Sequence, residues 1–239
     1  RHEERFSDPD GSYNISSMDH GGVDAALLLP IDYEYGWGTR IGANDKEILN
    51  IDEKHEHIAD LQNNKYPGRF YAAAGPDPRR PDAAGIFKQA VKEHGMKGLK
   101  IVPGNGYTVW DRMLHPMYDV CLEYDLPVFS CTMAHPGGYT RPRFNDPLNY
   151  GDIACDFPDL KFVLLHAGFP FDDWFDKCLW VTAMSLNSYL QFDMWLVGQA
   201  TAGSHTARDA FPNIFNNEER VITMLSRAKA VVGTHRMIW

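Results

Sequence analysis

Side chains that bind metals or transfer protons follow several apolar segments of this sequence. His166 comes directly after the apolar run Phe162–Leu165, and Cys131 ends a second apolar segment. Asp193 follows a third such segment, and Lys100 lies inside a fourth. Histidine, cysteine and carboxylate side chains around an open position are the ligand set expected for Zn²⁺. These residues can form one metal or catalytic site if the ends of their segments converge in the fold.

Each of these residues also has an ordinary structural interpretation. A histidine at the end of a strand is often a buried residue with its hydrogen bonds satisfied, and Cys131 is small enough to be a core residue. Lys100 is either a solvated lysine, the partner of a buried carboxylate or a residue that points into a site. Asp193 can cap the segment that follows it. The residue types by themselves leave these alternatives open.

The segment 133–145 adds one histidine and two arginines to the candidates. Arg141 and Arg143 flank a proline, and arginine binds carboxylates with two parallel hydrogen bonds. They are therefore candidate substrate-binding residues, with solvated loop charges as the alternative. His135 lies among proline and glycine residues, and it is either a candidate site residue or an exposed loop histidine.

Strand-like and helix-like segments alternate along the chain, about seven of the first kind and six of the second. This alternation predicts right-handed βαβ units and a parallel sheet. We expect a single domain over residues 1–239 with the α/β fold class of a (β/α)₈ TIM-like barrel, from which a piece is missing. In such a barrel the loops after the strands gather at the catalytic face. The predicted strands are 25–30, 69–74, 98–102, 127–131, 161–166, 189–192 and one from 236; the predicted helices are 44–63, 81–94, 114–124, 147–155, 172–186 and 218–228.

Composition and motifs narrow the classes of function. The net charge of −9 argues against nucleic acid or an anionic membrane as the partner. The four cysteines have no CxxC spacing, which favours reduced thiols and a cytoplasmic protein. GxSxG, Walker, GxGxxG and HExxH motifs are absent from the sequence, which favours either metal-assisted chemistry or no catalysis. We expect a small-molecule substrate and a homo-oligomer.

Six segments, spread over nearly the whole chain, carry a family resemblance. The most specific of them contains His166. They read MDHGGVDAALLLP, YPGRFYAAAGPDPRRPDAAG, EHGMKGLKIVP, CLEYDLPVFSCT, FPDLKFVLLHAG and NSYLQFD. Together they resemble the amidohydrolase superfamily, in the branch of aminocarboxymuconate-semialdehyde decarboxylase and its relatives.

The resemblance implies a distorted (β/α)₈ barrel that holds one divalent metal, with Zn²⁺ expected and Mn²⁺ as the alternative. The family's ligands are an HxH pair on the first strand, a histidine ending the fifth, often a histidine near the sixth, and an aspartate on the eighth in a GSD motif. His166 matches the sixth-strand histidine. Cys131 stands where the family has the fifth-strand histidine, and either its thiolate binds the metal or His135, four residues on, takes that place.

The HxH motif does not occur where the family has it, and GSD does not occur in this sequence. No HxH precedes Ala25, and the sequence ends at Trp239, where the family continues toward GSD. We therefore expect the barrel to lack its first strand and the end of its last strand. The expected explanation is that the sequence is a fragment of a longer chain.

The resemblance also implies an activity. We expect a metal-dependent hydrolase that acts on a small carboxylate-bearing or aromatic-derived substrate through a metal-activated water. A non-oxidative decarboxylase or hydratase on the same metal is the alternative, and a barrel without catalysis, serving as a binding or structural subunit, is the alternative from another class. The expected catalytic residues are His166 and His135, the metal ligands His166 and Cys131, and the substrate-binding residues Lys100, Arg141, Arg143 and Asp193.

Overall fold

The structure, a computed structural model, describes residues 8–35, 50–133, 140–195 and 218–238. Seven short strands run parallel to one another and follow the order of the chain. The first two form one ladder and the other five a second, and a bridge between Ala74 and Leu99 joins the ladders. The strands are β1 (Ala26–Leu28), β2 (Phe70–Ala72), β3 (Leu99–Ile101), β4 (Val128–Cys131), β5 (Phe162–Leu165), β6 (Ser188–Gln191) and β7 (Met237–Ile238).

Helices connect these strands and cover the sheet. They are α1 (Ser12–Gly21), α2 (Ile51–Asp60), α3 (Ala83–His94), α4 (His115–Glu123), α5 (Asn149–Asp156), α6 (Asp172–Met184) and α7 (Glu218–Val232). A parallel sheet in chain order, with a helix after most strands, is the arrangement of a singly wound (β/α) barrel. The fold class predicted from the sequence is therefore confirmed, as a partial barrel.

The strands form where the sequence is most uniformly apolar. Every residue of β3, β4 and β5 is buried, since both faces of the sheet are covered. The core also holds T-shaped aromatic pairs, among them Tyr118 with Phe162 at 5.7 Å between ring centres. No helix that could cross a membrane was found among the described residues.

The structure adds one helix to the predicted elements and moves the ends of others; α7, for example, ends at Val232 rather than at residue 228. Helix α1 was not predicted, because its face is polar and Met18 is its one buried residue. Helix α2 begins at Ile51, where Asn50 and Glu53 form a reciprocal capping box. The predicted start of this helix, at residue 44, lies outside the described residues.

Candidate active site at the strand ends

Four of the residues predicted from the sequence meet at the carboxyl ends of neighbouring strands. Cys131 ends β4, and its Sγ lies 3.6 Å from Nε2 of His166, which follows β5. The other ring nitrogen of His166, Nδ1, lies 2.8 Å from Oδ1 of Asp193, just after β6. Lys100, from β3, donates a hydrogen bond from Nζ to the same Sγ at 3.1 Å. The result is a continuous chain of contacts across four adjacent strands.

The backbone at His166 holds an uncommon conformation. His166 has φ 69° and Ala167 φ 41°, both in the left-handed region, and Gly168 follows with φ 74°. A side chain on Gly168 would overlap the backbone of α6 around Trp174, so this position requires glycine. Non-glycine residues with positive φ cost of order 1–3 kcal/mol and are concentrated at functional sites. The backbone is therefore strained at His166 and Ala167, where its conformation sets the direction of the imidazole.

Two side chains from the β6 end fix that backbone. Gln191 accepts a hydrogen bond from the His166 amide through Oε1 at 3.1 Å. The indole Nε1 of Trp195 donates to the His166 carbonyl oxygen at 2.9 Å. The sequence argument did not identify either residue. Their closeness to Asp193 in the sequence was the available signal, since all three follow or end the same strand.

Asp193 sets where His166 carries its protons. Burial acts to lower the pKa of His166, but hydrogen bonds with Asp193 and Cys131 outweigh it and raise that pKa to about 9. Burial also opposes ionisation of Asp193, yet its bonds to His166 and to the Met194 amide hold its pKa below the usual value. The aspartate is therefore an anion that accepts from Nδ1–H, which leaves Nε2 facing the sulfur of Cys131.

Lys100 is an unusual buried cation. Its residue is 4% exposed, and within the described ranges the Cys131 sulfur is the hydrogen-bond partner of its ammonium. A buried ammonium is costly unless an anionic group compensates it. The sequence left open that Lys100 pairs with a buried carboxylate. In the structure its positive charge lies against Sγ of Cys131 instead.

The pair Cys131–His166 fits two ligands of one metal ion. A tetrahedral Zn²⁺, about 2.3 Å from sulfur and about 2.1 Å from an imidazole nitrogen, separates these donors by about 3.6 Å. The observed distance between Sγ and Nε2 is 3.6 Å. The part of the chain that the structure describes contains no group of three or more His, Cys, Asp or Glu side chains that could hold a metal. A catalytic zinc site, with three protein ligands, would therefore need a further donor from elsewhere.

The two predicted arginines lie apart from this chain of contacts. The Arg141 amide donates to the Gly104 carbonyl at 2.8 Å, and its exposed guanidinium lies over Gly106, in the loop after β3. Arg143 lies over the ring of Phe144, 4.7 Å from its centre. Neither side chain contacts Lys100, Cys131, His166 or Asp193 among the described residues. His135 lies outside the described residues.

A second polar cluster, absent from the sequence-based candidates, lies at the ends of β1 and β2. Arg80 donates to Oδ1 of the buried Asp32 at 2.9 Å, and Arg79 pairs with the buried Asp77 through Nε at 2.7 Å. The Asp77 amide also donates to Asp32 at 2.9 Å. The signal was the segment DPRR, which begins three residues after the end of a predicted strand. These ion pairs fix two loops beside Lys100.

Comparisons with known proteins were made for the whole chain. The family model described as amidohydrolase matches residues 4–239. No curated protein matches the chain. The chain is similar in fold to an uncharacterised TIM-barrel protein of Bordetella bronchiseptica, with 20% identity and a TM-score of 0.59 over 89% of this chain and 82% of that one.

Two solved enzymes share the fold as well. One is 5-carboxyvanillate decarboxylase from Novosphingobium aromaticivorans, complexed with manganese and 4-hydroxy-3-methoxy-5-nitrobenzoic acid; identity is 18% and the TM-score 0.61, over 98% of this chain and 70% of that one. The other is 4-oxalomesaconate hydratase from Rhodopseudomonas palustris, with 15% identity and a TM-score of 0.50 over 93% and 83%. At these identities the likeness concerns the fold.

Proposed function

Since the chain belongs to the amidohydrolase family, we propose that it is a metal-dependent hydrolase acting on a small carboxylate-bearing or aromatic-derived substrate. The observation that carries the proposal is the donor pair at the strand ends. Sγ of Cys131 and Nε2 of His166 are 3.6 Å apart, the spacing of two ligands on one tetrahedral ion. The carboxyl ends of barrel strands are also where such enzymes hold their chemistry.

Cys131 and His166 would hold one divalent metal, with Zn²⁺ expected and Mn²⁺ the alternative. The bound metal would supply a Lewis acid that polarises a substrate oxygen and lowers the pKa of water toward about 7. Asp193 would act as a positioning residue, because its carboxylate accepts from Nδ1 and so turns Nε2 toward the ion. His135 is a further candidate for a ligand or a catalytic group.

Charged groups around the donor pair support an anionic substrate. The buried ammonium of Lys100 lies 3.1 Å from Sγ of the pair, and it would attract a substrate carboxylate into the site. Arg141 has an exposed guanidinium at the same end of the sheet, where it would bind a second polar group of the substrate, and Arg143 lies close by in sequence. The side chain of Asp193 is 39% exposed, which leaves its carboxylate accessible to a substrate donor as well.

Non-oxidative decarboxylation, or addition of water to a double bond, is the second candidate. Lys100 favours it, because an ammonium beside the donor pair can hold the carboxylate that would be lost as CO₂. The solved neighbours with a decarboxylase and a hydratase activity have the same fold, which is compatible with either reaction. A binding or structural barrel without catalysis is the candidate from another class.

One assay separates these candidates. The chain is loaded with Zn²⁺ or Mn²⁺ and incubated with a panel of aromatic carboxylic acids and their esters and amides, including 5-carboxyvanillate. Products are followed by NMR and CO₂ by a coupled assay. Release of CO₂ indicates a decarboxylase, whereas water added without CO₂ indicates a hydrolase or hydratase.

Two variants and a binding probe complete the test. His166→Gln should abolish turnover, and His235→Gln, at an exposed histidine, should leave it unchanged. Binding of 4-hydroxy-3-methoxy-5-nitrobenzoic acid is measured in parallel by calorimetry. Absence of metal binding together with absence of turnover would refute the enzyme proposal and favour the non-catalytic barrel.

A further inference from the structure

We infer that Cys131, His166 and Asp193 form a nucleophilic triad, which in the metal-free chain cleaves small activated esters through a thioester on the Cys131 sulfur. This activity goes beyond the proposed function, because it needs no metal ion and uses the same residues in another role. A metal bound to Sγ would hold the electron pair that attacks the ester, so the two roles of Cys131 exclude each other at any one moment.

The three side chains have the arrangement of a thiol, a base and an orienting carboxylate. Nε2 of His166 lies 3.6 Å from Sγ of Cys131, within hydrogen-bond reach for sulfur. Nδ1 of the same ring lies 2.8 Å from Oδ1 of Asp193, whose carboxylate fixes the orientation of the imidazole. A nucleophile beside a base that a third group orients is the recurring geometry of covalent hydrolases. It is recognised by these contacts rather than by the order of the residues in the chain.

Lys100 supplies a positive charge where negative charge develops during such a reaction. Its ammonium lies 3.1 Å from Sγ, and the residue is 4% exposed. The carbonyl oxygen of an ester under attack at Sγ would lie within reach of this ammonium, because only the carbonyl carbon separates that oxygen from the sulfur. A fixed positive group stabilises the oxyanion that forms there, and its effect is larger where water is excluded. The same ammonium repels a cation at Sγ, so it favours the covalent role of Cys131.

Cys131 is distinguished from the other three cysteines by its neighbours. Cys121 lies in the apolar core, and burial raises the pKa of its thiol. Sγ of Cys178 donates to the Thr132 hydroxyl oxygen at 3.7 Å. Cys155 is exposed on α5. Of the four thiols, Cys131 is the one that the described residues place against an imidazole nitrogen.

The reaction is an acyl transfer to sulfur. Sγ of Cys131 attacks the ester carbonyl carbon, an S–C bond forms, and the C–O bond to the alcohol breaks. The thiol proton passes through Nε2 of His166 to the leaving oxygen, which departs as the alcohol. Water then cleaves the thioester, which gives the acid and returns the thiol, so the cycle needs no oxidant or reductant.

The test uses the full chain, freed of metal with a chelator, and p-nitrophenyl acetate as the probe. The natural protein should release p-nitrophenol, and the acid-quenched protein should carry an acetyl group that peptide mass spectrometry locates on Cys131. Cys131→Ala should lose both signals, whereas Cys155→Ser, the matched control at an exposed cysteine, should keep both. His166→Gln should slow the release by about 100-fold or more, since a general base contributes about 10²- to 10⁴-fold.

Asp193 is a positioning residue in this reaction, because it acts through the imidazole. Asp193→Asn should lower the maximal rate of acetylation by about tenfold or more, since the ring is no longer held in the productive orientation. The ester concentration that gives the half-maximal rate should stay unchanged. A loss of folded protein would lower the amount of active enzyme without slowing acetylation of the chains that remain folded.

Two results would overturn the inference. One is an acetyl group found on Cys155 and not on Cys131, and the other is release of p-nitrophenol that is equal in the natural protein and in Cys131→Ala. If Cys131→Ala does not fold, the position of the acetyl group in the natural protein decides. All of these measurements are made without metal, so the metal-dependent function stands or fails separately.

Discussion

His55 provides a quantitative prediction about how stability depends on pH. It lies on α2 and is 2% exposed, and its Nε2 accepts the Gly75 amide hydrogen at 3.0 Å, in the loop that follows β2. Burial lowers the pKa of this imidazole from 6.5 to about 4. The charges of His94 and Lys54 contribute to this lowering of the pKa, and the charge of Asp32 opposes it. The folded chain therefore holds His55 neutral, as a hydrogen-bond acceptor.

The sign of the effect follows from which state binds the proton first. The unfolded chain protonates His55 near pH 6.5, and the folded chain does so near pH 4. As the pH falls between these values the unfolded state binds more protons, so the free energy of unfolding decreases. At 1.36 kcal/mol for each pKa unit the full loss is about 3 kcal/mol, of which about 2 kcal/mol is reached at pH 5. Below about pH 4 this group contributes no further change.

Urea unfolding of the natural protein and of His55→Gln, at pH 7 and pH 5, measures this contribution. Glutamine keeps an acceptor within reach of the Gly75 amide but does not titrate. The natural protein should lose about 2 kcal/mol more between these pH values than His55→Gln does. His57→Gln, on the same helix, is the control and should behave as the natural protein. Equal losses in the natural protein and in His55→Gln would show that the imidazole is not held neutral by the fold.

Three further predictions concern the loops and the site. Gly168→Ala should lower the free energy of unfolding, measured by thermal unfolding, by about 3 kcal/mol, because φ is positive there and the new side chain would overlap α6. Gly22→Ala, with φ 67° and open space around it, should lower it by only about 1 kcal/mol. Equal losses in the two variants would contradict the steric argument. Arg80→Met should lower the free energy of unfolding in urea by about 3 kcal/mol, because it leaves Asp32 buried and unpaired. The double variant with Asp32→Asn should recover much of that free energy, whereas strictly additive effects of the two substitutions would contradict the pairing. Asp193→Asn should weaken Zn²⁺ binding by about 10- to 100-fold in a chelator competition, whereas unchanged affinity would mean that the carboxylate does not orient the ligand.

The order of elements could be predicted because local signals agree with the fold. The run Phe162–Leu165 is apolar at every position, and it forms a strand whose four residues are all buried. Helix α3 ends at Gly95, which has φ 69° and caps it as the sequence indicated. The family expected from six short motifs is confirmed by the family model over residues 4–239.

Local signals were weaker where an element does not bury an apolar face. Helix α1 has one buried residue, Met18, so the hydrophobic periodicity that reveals other helices is missing there. Helix α2 begins after Asn50, whose side chain accepts the Glu53 amide hydrogen while the Glu53 side chain accepts that of Asn50. Residue types alone did not identify this cap.

The sequence by itself determined the residue types at the strand ends and the order of the strands. The tertiary structure decided which of these residues meet. Lys100 and His166 lie 31 and 35 residues from Cys131 in the chain, and parallel pairing of β3, β4 and β5 brings all three to one sulfur. Periodicity reports only which face a side chain occupies, whereas a contact of 3 to 4 Å depends on strand register and backbone conformation across the whole sheet. For this reason the sequence could identify the candidate residues but not which of them are in contact. It also could not predict that Arg141 and Arg143 lie apart from the contacts of Lys100, Cys131, His166 and Asp193.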